Sequence, residues 1–136
     1  MVVVGVRSGG TDVAKAVRDA LIGQRTWYTK IIVVDADVDV FDSGQVMHAL
    51  SVKCHSTRGI SVVELEGKAN LLTPCYSRDE KETQTASIAL FDCTWPSHWS
   101  SREIPPKMSF EEIYPRGVRE AALSKLRKYG LVVDHE

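Results

Sequence analysis

The sequence has little that would mark a secreted, membrane-spanning or nucleic-acid-binding protein. Cysteine is sparse: Cys54, Cys75 and Cys93 are an odd number at wide spacing. Small disulfide-stapled domains are denser in cysteine, so these three are expected to be reduced thiols in a cytoplasmic protein. No apolar run approaches the roughly 18 residues that a membrane helix needs. The opening Met1-Val2-Val3-Val4-Gly5-Val6 is apolar but too short to span a bilayer, and it has no basic leader. Neither sign of charge dominates; the net charge is -1 and the pI near 6.4. That removes the strongest electrostatic argument for a nucleic-acid or polyphosphate partner. The fingerprints G-x-G-x-x-G and G-x-x-x-x-G-K-[ST] are both missing. So is any C-x-x-C or H-x-x-x-H pair, which argues against structural zinc held by His48, Cys54, His55, Cys75, Cys93 and His98. There is no internal repeat and no low-complexity tract.

What is present is an ordinary globular composition, 43% hydrophobic and 26% charged over 136 residues. That length suits one domain spanning residues 1–136, able to bury a core without a disulfide or metal. Short β-branched runs alternate with helical stretches. Val2 to Val6 reads as a strand, broken by Ser8-Gly9-Gly10. Thr11 to Ile22 places Val13, Ala14, Val17, Ala20 and Leu21 on one helical face, with Thr11 as N-cap and Gly23 as stop. Lys30 to Val34 is apolar beyond its first residue, as in a strand buried on both faces of a parallel sheet. Asp42-Ser43-Gly44-Gln45 has capping-box spacing, and Val46, Met47, Leu50 and Cys54 would line the inner face of the helix that follows. Ile60 to Leu65 and Ala86 to Phe91 read as two more strands. Glu66 to Gln84 is the longest stretch without clear structure. Trp95 to Pro106 is irregular. A last helix runs from about Pro115 to Tyr129, with Val118, Ala121, Ala122 and Leu126 as its apolar positions and Gly130 past its end. The expected fold is a single three-layer, Rossmann-like α/β domain with a mostly parallel sheet and a C-terminal helix.

Several groups of residues invite a chemical reading. Ser8, Gly9, Gly10 and Thr11 join a strand to a helix N-terminus, where free amides can bind an anion; glycine there also serves backbone geometry alone. Asp35, Asp37, Asp39 and Asp42 follow a strand at the edge where parallel sheets place ligands, and Mg²⁺ sites use such carboxylates. Turn and cap formation uses aspartate in the same way and is the favoured reading. Cys54 or Cys93 with a histidine would be a nucleophilic dyad, but no local signature accompanies them, so buried, inert thiols are expected. Trp95 and Trp99 suit either a ligand wall or interface, or packing onto their own domain. The basic positions Arg116, Arg119, Lys125, Arg127 and Lys128 read as a solvated face or a subunit contact. No complete catalytic set emerges.

Taken in order, these segments resemble the C-terminal domain of the UbiD family of prenylated-flavin-dependent decarboxylases. The likeness rests on Tyr28-Thr29-Lys30-Ile31-Ile32-Val33-Val34-Asp35-Ala36-Asp37-Val38-Asp39-Val40, then Gln45-Val46-Met47-His48-Ala49-Leu50. It continues in Phe91-Asp92-Cys93-Thr94-Trp95-Pro96 and closes in Met108-Ser109-Phe110-Glu111-Glu112-Ile113-Tyr114-Pro115. Two departures stand out. Ala36 replaces a usual acid, which argues further against a metal at the aspartates. Cys93-Thr94 runs directly into Trp95-Pro96, without the lysine that many relatives carry after the threonine.

The resemblance implies a component of a decarboxylase (carboxy-lyase) acting on aromatic or α,β-unsaturated carboxylic acids. In that family prenylated FMN, a divalent metal (usually manganese) and potassium sit mainly on a central domain, as do the catalytic residues. None of these can be placed on this chain, so a flavin-binding domain or large subunit is the expected partner, within a homo- or hetero-oligomer. The family's C-terminal domain mediates oligomerisation and closes over the active site. Its apolar pocket loop corresponds most nearly to Asn70-Leu71-Leu72-Thr73-Pro74, making Leu71, Leu72, Thr73 and Pro74 the implied substrate-pocket residues. Asp35, Asp37, Asp39, Asp42 and Asp92 carry over as motif positions with a structural part. The alternative is a stand-alone, non-catalytic small-molecule-binding or oligomerisation module.

Overall fold

The apolar runs fold as strands of a single sheet in the computed structural model, which describes residues 1–23, 28–67, 73–106 and 110–131. The chain divides into two compact units, Met1–Trp99 and Ser100–Glu136. The first alternates β1 (Val2–Val6), α1 (Thr11–Gly23), β2 (Lys30–Asp35), α2 (Ser43–Val52), β3 (Ile60–Leu65), α3 (Arg78–Glu82) and β4 (Ala86–Cys93). The strands lie in the order β1-β2-β4-β3. Alternation along β2 and β4 divides the core. Ile31, Val33, Ile88 and Leu90 pack with Ala14, Val17, Leu21 and Ile22 of α1. Ile32, Val34 and Cys93 pack with Val46 and Ala49 of α2. Both faces of β2 are therefore covered, which is why Ile31 to Val34 is continuously apolar.

The sheet is mixed, which meets the expected α/β domain at the coarser level: two of its three pairings are parallel and one is antiparallel. β1 pairs with β2, and β2 with β4, in parallel. β3 pairs with β4 antiparallel, Ile60 opposite Phe91 and Leu65 opposite Ala86. The cause lies at the end of α2. Lys53, just past α2, holds Asp35 at the end of β2, so α2 finishes at the edge where β2 and β4 also finish. A strand that begins there can only run back along the sheet. β3 accordingly carries the alternating pattern of a strand with one wet face: Ser61 meets Arg18 of α1, whereas Ile60 and Val62 on the other face are exposed.

Local corrections have equally local causes. Helix α1 starts at Thr11, not after it, and the carbonyl that accepts the first helical amide, from Ala14, belongs to Gly10. In α2 the inward face is Val46 and Ala49, with Leu50 and Cys54 partly buried; Met47 is exposed. The stretch expected to lack structure contains α3, opened by a capping box. Ser77 Oγ accepts from Glu80 N at 3.2 Å, and Ser77 N donates to Glu80 Oε2 at 2.7 Å. Tyr76 pins this region to β4, its hydroxyl donating to Ser87 O and accepting from Ser87 N, both at 3.1 Å.

The second unit holds α4 (Phe110–Ile113) and α5 (Arg116–Lys128). Pro115 precedes α5, and Gly130 follows it with φ +72°. Gly130 N bonds to Arg127 O and Leu131 N to Leu126 O, which closes the helix in a Schellman motif. No residue of α5 is fully buried, and Val118, expected on the apolar face, is exposed. No helix among the described residues is long and apolar enough to cross a membrane.

Candidate functional site

Asp35, Asp37, Asp92 and the Ser8-Gly9-Gly10-Thr11 turn, among the residues singled out in the sequence, meet where β2 and β4 end. The first element there is the β1–α1 turn. Gly10 adopts φ +116°, and its amide donates to Thr94 Oγ1 at 2.7 Å. Gly9 is pressed against the same residue: a Cβ added to it would lie 2.5 Å from Thr94 Cβ and 2.9 Å from Asp35 Oδ1. Only glycine allows the turn to approach so closely. One amide of the Ser8-Gly9-Gly10-Thr11 turn is thus committed within the chain, and a carboxylate oxygen stands beside Gly9.

Thr94 links that turn to β4. Its hydroxyl donates to Asp92 Oδ1 at 2.6 Å, and its amide to the same oxygen at 3.1 Å. Both Asp92 and Thr94 are buried. A buried carboxylate needs such donors to offset its lost hydration. Asp92, Thr94 and Gly10 therefore form a chain of hydrogen bonds that fixes the turn to the end of β4.

Beside it stands Lys53, which sequence reasoning missed. Its side chain is only 8% exposed, and Nζ donates to Asp35 Oδ2 at 2.8 Å and Asp37 Oδ1 at 3.3 Å. The ammonium also lies 5.3 Å from the centroid of Trp95. Asp35 Oδ2 accepts from Trp95 N at 3.2 Å as well. The sequence clue was a solitary cation at the end of an apolar helix, following aspartates with no partner nearby. Trp95 in turn stacks on Trp99, with centroids 5.6 Å apart and planes at 25°. Both indoles are half-buried.

The other aspartates have local tasks. Asp39 Oδ1 accepts from Phe41 N at 2.9 Å. Asp42 caps α2 by accepting from Gly44 N and Gln45 N. The reach of Gln45 differs from a strict capping box: its Nε2 donates to Asp42 Oδ2, and its Oε1 accepts from Asp39 N. The hydrogen bonds from Gln45 and Gly44 hold the Asp42 carboxyl below its ordinary value. Among the described residues no group of three or more His, Cys, Asp or Glu could hold a metal ion. With Lys53 on two carboxylates and backbone amides on the other two, the aspartate cluster does not fit a divalent cation.

The three cysteines are free. Cys93 is fully buried, and burial, then the neighbouring Cys54, pushes its thiol up to about 12. Burial raises Cys54 as well. A thiol so protonated is a poor nucleophile. Of the implied pocket loop, Leu71 and Leu72 lie outside the described residues. Thr73 is placed, its carbonyl accepting from Tyr76 N at 3.4 Å, and Pro74 follows in a turn.

The model of the 3-octaprenyl-4-hydroxybenzoate carboxy-lyase C-terminal domain, UbiD_C, matches residues 1–93. The chain belongs to this family. The match ends at Cys93, the last residue of β4, so this UbiD C-terminal chain has Asp35, Lys53 and Asp92 inside the matched span and Thr94, Trp95 and Trp99 beyond it. Comparison with curated proteins finds no match. Solved UbiD-class structures do match. The vanillic acid decarboxylase of Sedimentibacter hydroxybenzoicus in its closed form is 27% identical, with a TM-score of 0.60 over 93% of this chain and 25% of that one. The 3,4-dihydroxybenzoic acid decarboxylase of Enterobacter cloacae is 25% identical, with a TM-score of 0.58 over 88% of this chain and 25% of that one. The UbiD-class enzyme HmfF of Pelotomaculum thermopropionicum, solved in complex with FMN, shares the fold: 22% identity and a TM-score of 0.62 over 90% of this chain and 25% of that one. The UbiD C-terminal chain thus spans about a quarter of the length of the UbiD-class structures it matches.

Proposed function

We propose that this chain, residues 1–136 as one functional component, is the C-terminal part or small subunit of a UbiD-class decarboxylase of aromatic or α,β-unsaturated carboxylic acids. It works in the cytoplasm with a flavin-binding domain or large subunit. Prenylated FMN, a divalent metal and potassium belong to that partner. This chain contributes assembly, closure and one apolar wall of the substrate pocket, through the 70–74 segment.

One observation carries the reading: a family match over residues 1–93 on a chain that spans only a quarter of the UbiD-class structures it resembles. Its own chemistry points the same way. The aspartates and thiols at the sheet edge are engaged in caps, turns and core, which suits a supporting role rather than an independent reaction centre. Co-expression with a UbiD-type flavin subunit and size-exclusion chromatography test it. Co-elution at a fixed ratio is expected. Separate elution, with a partner fully active alone, would rule the reading out.

A further inference from the structure

Two of the three thiols meet in the first unit. Cys54 follows the C-cap of α2, and Cys93 is the last residue of β4. Cys54 packs against the apolar cluster that contains Cys93. The two sulfurs lie within hydrogen-bonding reach of each other. Each S–H also has a carbonyl to donate to, Gly59 O at 3.7 Å for Cys54 and Phe91 O at 3.8 Å for Cys93. Their exposures differ. Cys54 is half-buried and lines an open cavity of about 170 Å³, together with Lys53, His55 and Arg58. Cys93 is fully buried and takes no part in the cavity wall. A small reagent in the cavity therefore finds Cys54 accessible and Cys93 shielded. The third thiol, Cys75, is exposed.

We propose that Cys54 and Cys93 form a reversible disulfide when the chain meets hydrogen peroxide. The Cys54 sulfur attacks one peroxide oxygen. The O–O bond breaks, an S–OH bond forms, and the other oxygen leaves as water with the thiol proton. The Cys93 sulfur then attacks the Cys54 sulfur. The S–S bond forms, the S–OH bond breaks, and a second water leaves with the Cys93 proton. Two electrons pass from the two thiols to the peroxide. Burial raises both thiols, so the reaction is slow and its product, rather than its rate, is diagnostic. Contact between the sulfurs gives Cys93 the advantage of proximity over a second peroxide. The bridge joins the residue after Lys53 to the residue before Thr94, fastening the end of α2 to the end of β4. Excess thiol reopens it, as expected of a transient bridge in a reducing compartment. The bond lies within this chain and does not depend on the proposed partner, so the two readings fail separately.

Treatment of the folded full chain with hydrogen peroxide tests it, in a Cys75→Ser background that removes the exposed thiol. Remaining thiols are blocked with iodoacetamide, and the intact mass and tryptic peptides are measured. The expected product has lost two hydrogens, takes up no iodoacetamide and yields one cross-linked pair of peptides holding Cys54 and Cys93. Dithiothreitol should restore both thiols. In the same background Cys54→Ser should leave Cys93 an unoxidised thiol, because it is shielded from the cavity. The bridged chain should unfold at a urea midpoint higher than the reduced chain by roughly 1 M, as its unfolded state is constrained. Four results would overturn the proposal. They are two thiols that stay free, oxygen added to Cys54 beside a free Cys93, cross-links only between chains, and a bridged chain that unfolds at lower urea. The last would show that the fold does not hold the sulfurs ready to bond.

Discussion

Lys53 ends α2 almost out of solvent and holds two carboxylates and one indole face. Removing one partner of a buried pair costs more than the pair contributes, because the remaining charge stays desolvated. Asp35 is the side left behind in Lys53→Met, while Asp37 is 57% exposed and regains water. The expected loss is about 2–3 kcal/mol, below the roughly 3–5 kcal/mol of a fully buried pair, read from the shift in urea midpoint at constant slope. Cys93 offers a pH test. Its folded thiol stays protonated to about 12, against 9.0 for an unburied one. Below 9 both states keep the proton and the thiol adds no pH dependence. From 9 upward the unfolded chain releases a proton that the folded chain retains, so stability falls as pH rises toward 12, by at most about 1.4 kcal/mol per pH unit. Urea midpoints at pH 8 and pH 10.5 should diverge more in the wild type than in Cys93→Ala, after allowing for Cys54.

At the scale of elements, the β1–α1 turn is fastened to the end of β4 through Gly9, Gly10 and Thr94. Gly9→Ala places a Cβ inside the Thr94 side chain and is expected to cost about 1–3 kcal/mol as overpacking, measured by thermal unfolding. Thr94→Val, which keeps the shape but removes the hydroxyl, should also destabilise, because it leaves Gly10 N and Asp92 short of a partner. The elements that read clearly in the sequence are those whose signal is contained in themselves. Val2–Val6 and Lys30–Val34 are continuous apolar runs and appear as β1 and β2 at nearly the expected bounds. The direction of β3 was not legible, because it follows from where α2 ends, and that is tied by a bond between residues 18 positions apart. The alternation Ile60-Ser61-Val62-Val63-Glu64-Leu65 did carry a hint, since a strand with one wet face favours an antiparallel edge. The short α3 carries its signal in Ser77 and Glu80, at capping-box spacing, but the polar run around them has no apolar period to match it.

For the whole molecule, the partner reading draws on exposed apolar side chains as well as on length. Ile60 and Val62 lie open on one face of β3, and Met47 and Val52 on α2. Exposed apolar groups of this kind mark surfaces that association can cover. The family was legible from the sequence because the Asp-rich run, the helix after it and the Asp92-Cys93-Thr94 segment occur in order. The candidate site was only half legible. The aspartates announced themselves, but Lys53 and its contacts with Asp35 and Trp95 depend on the fold bringing distant positions to one sheet edge. The most direct measurement is the decarboxylation rate of a cofactor-loaded UbiD-type flavin subunit as this chain is added. A rate that rises and saturates near one equivalent is the predicted result. A rate already maximal without the chain, and unchanged by it, would contradict a role in that enzyme.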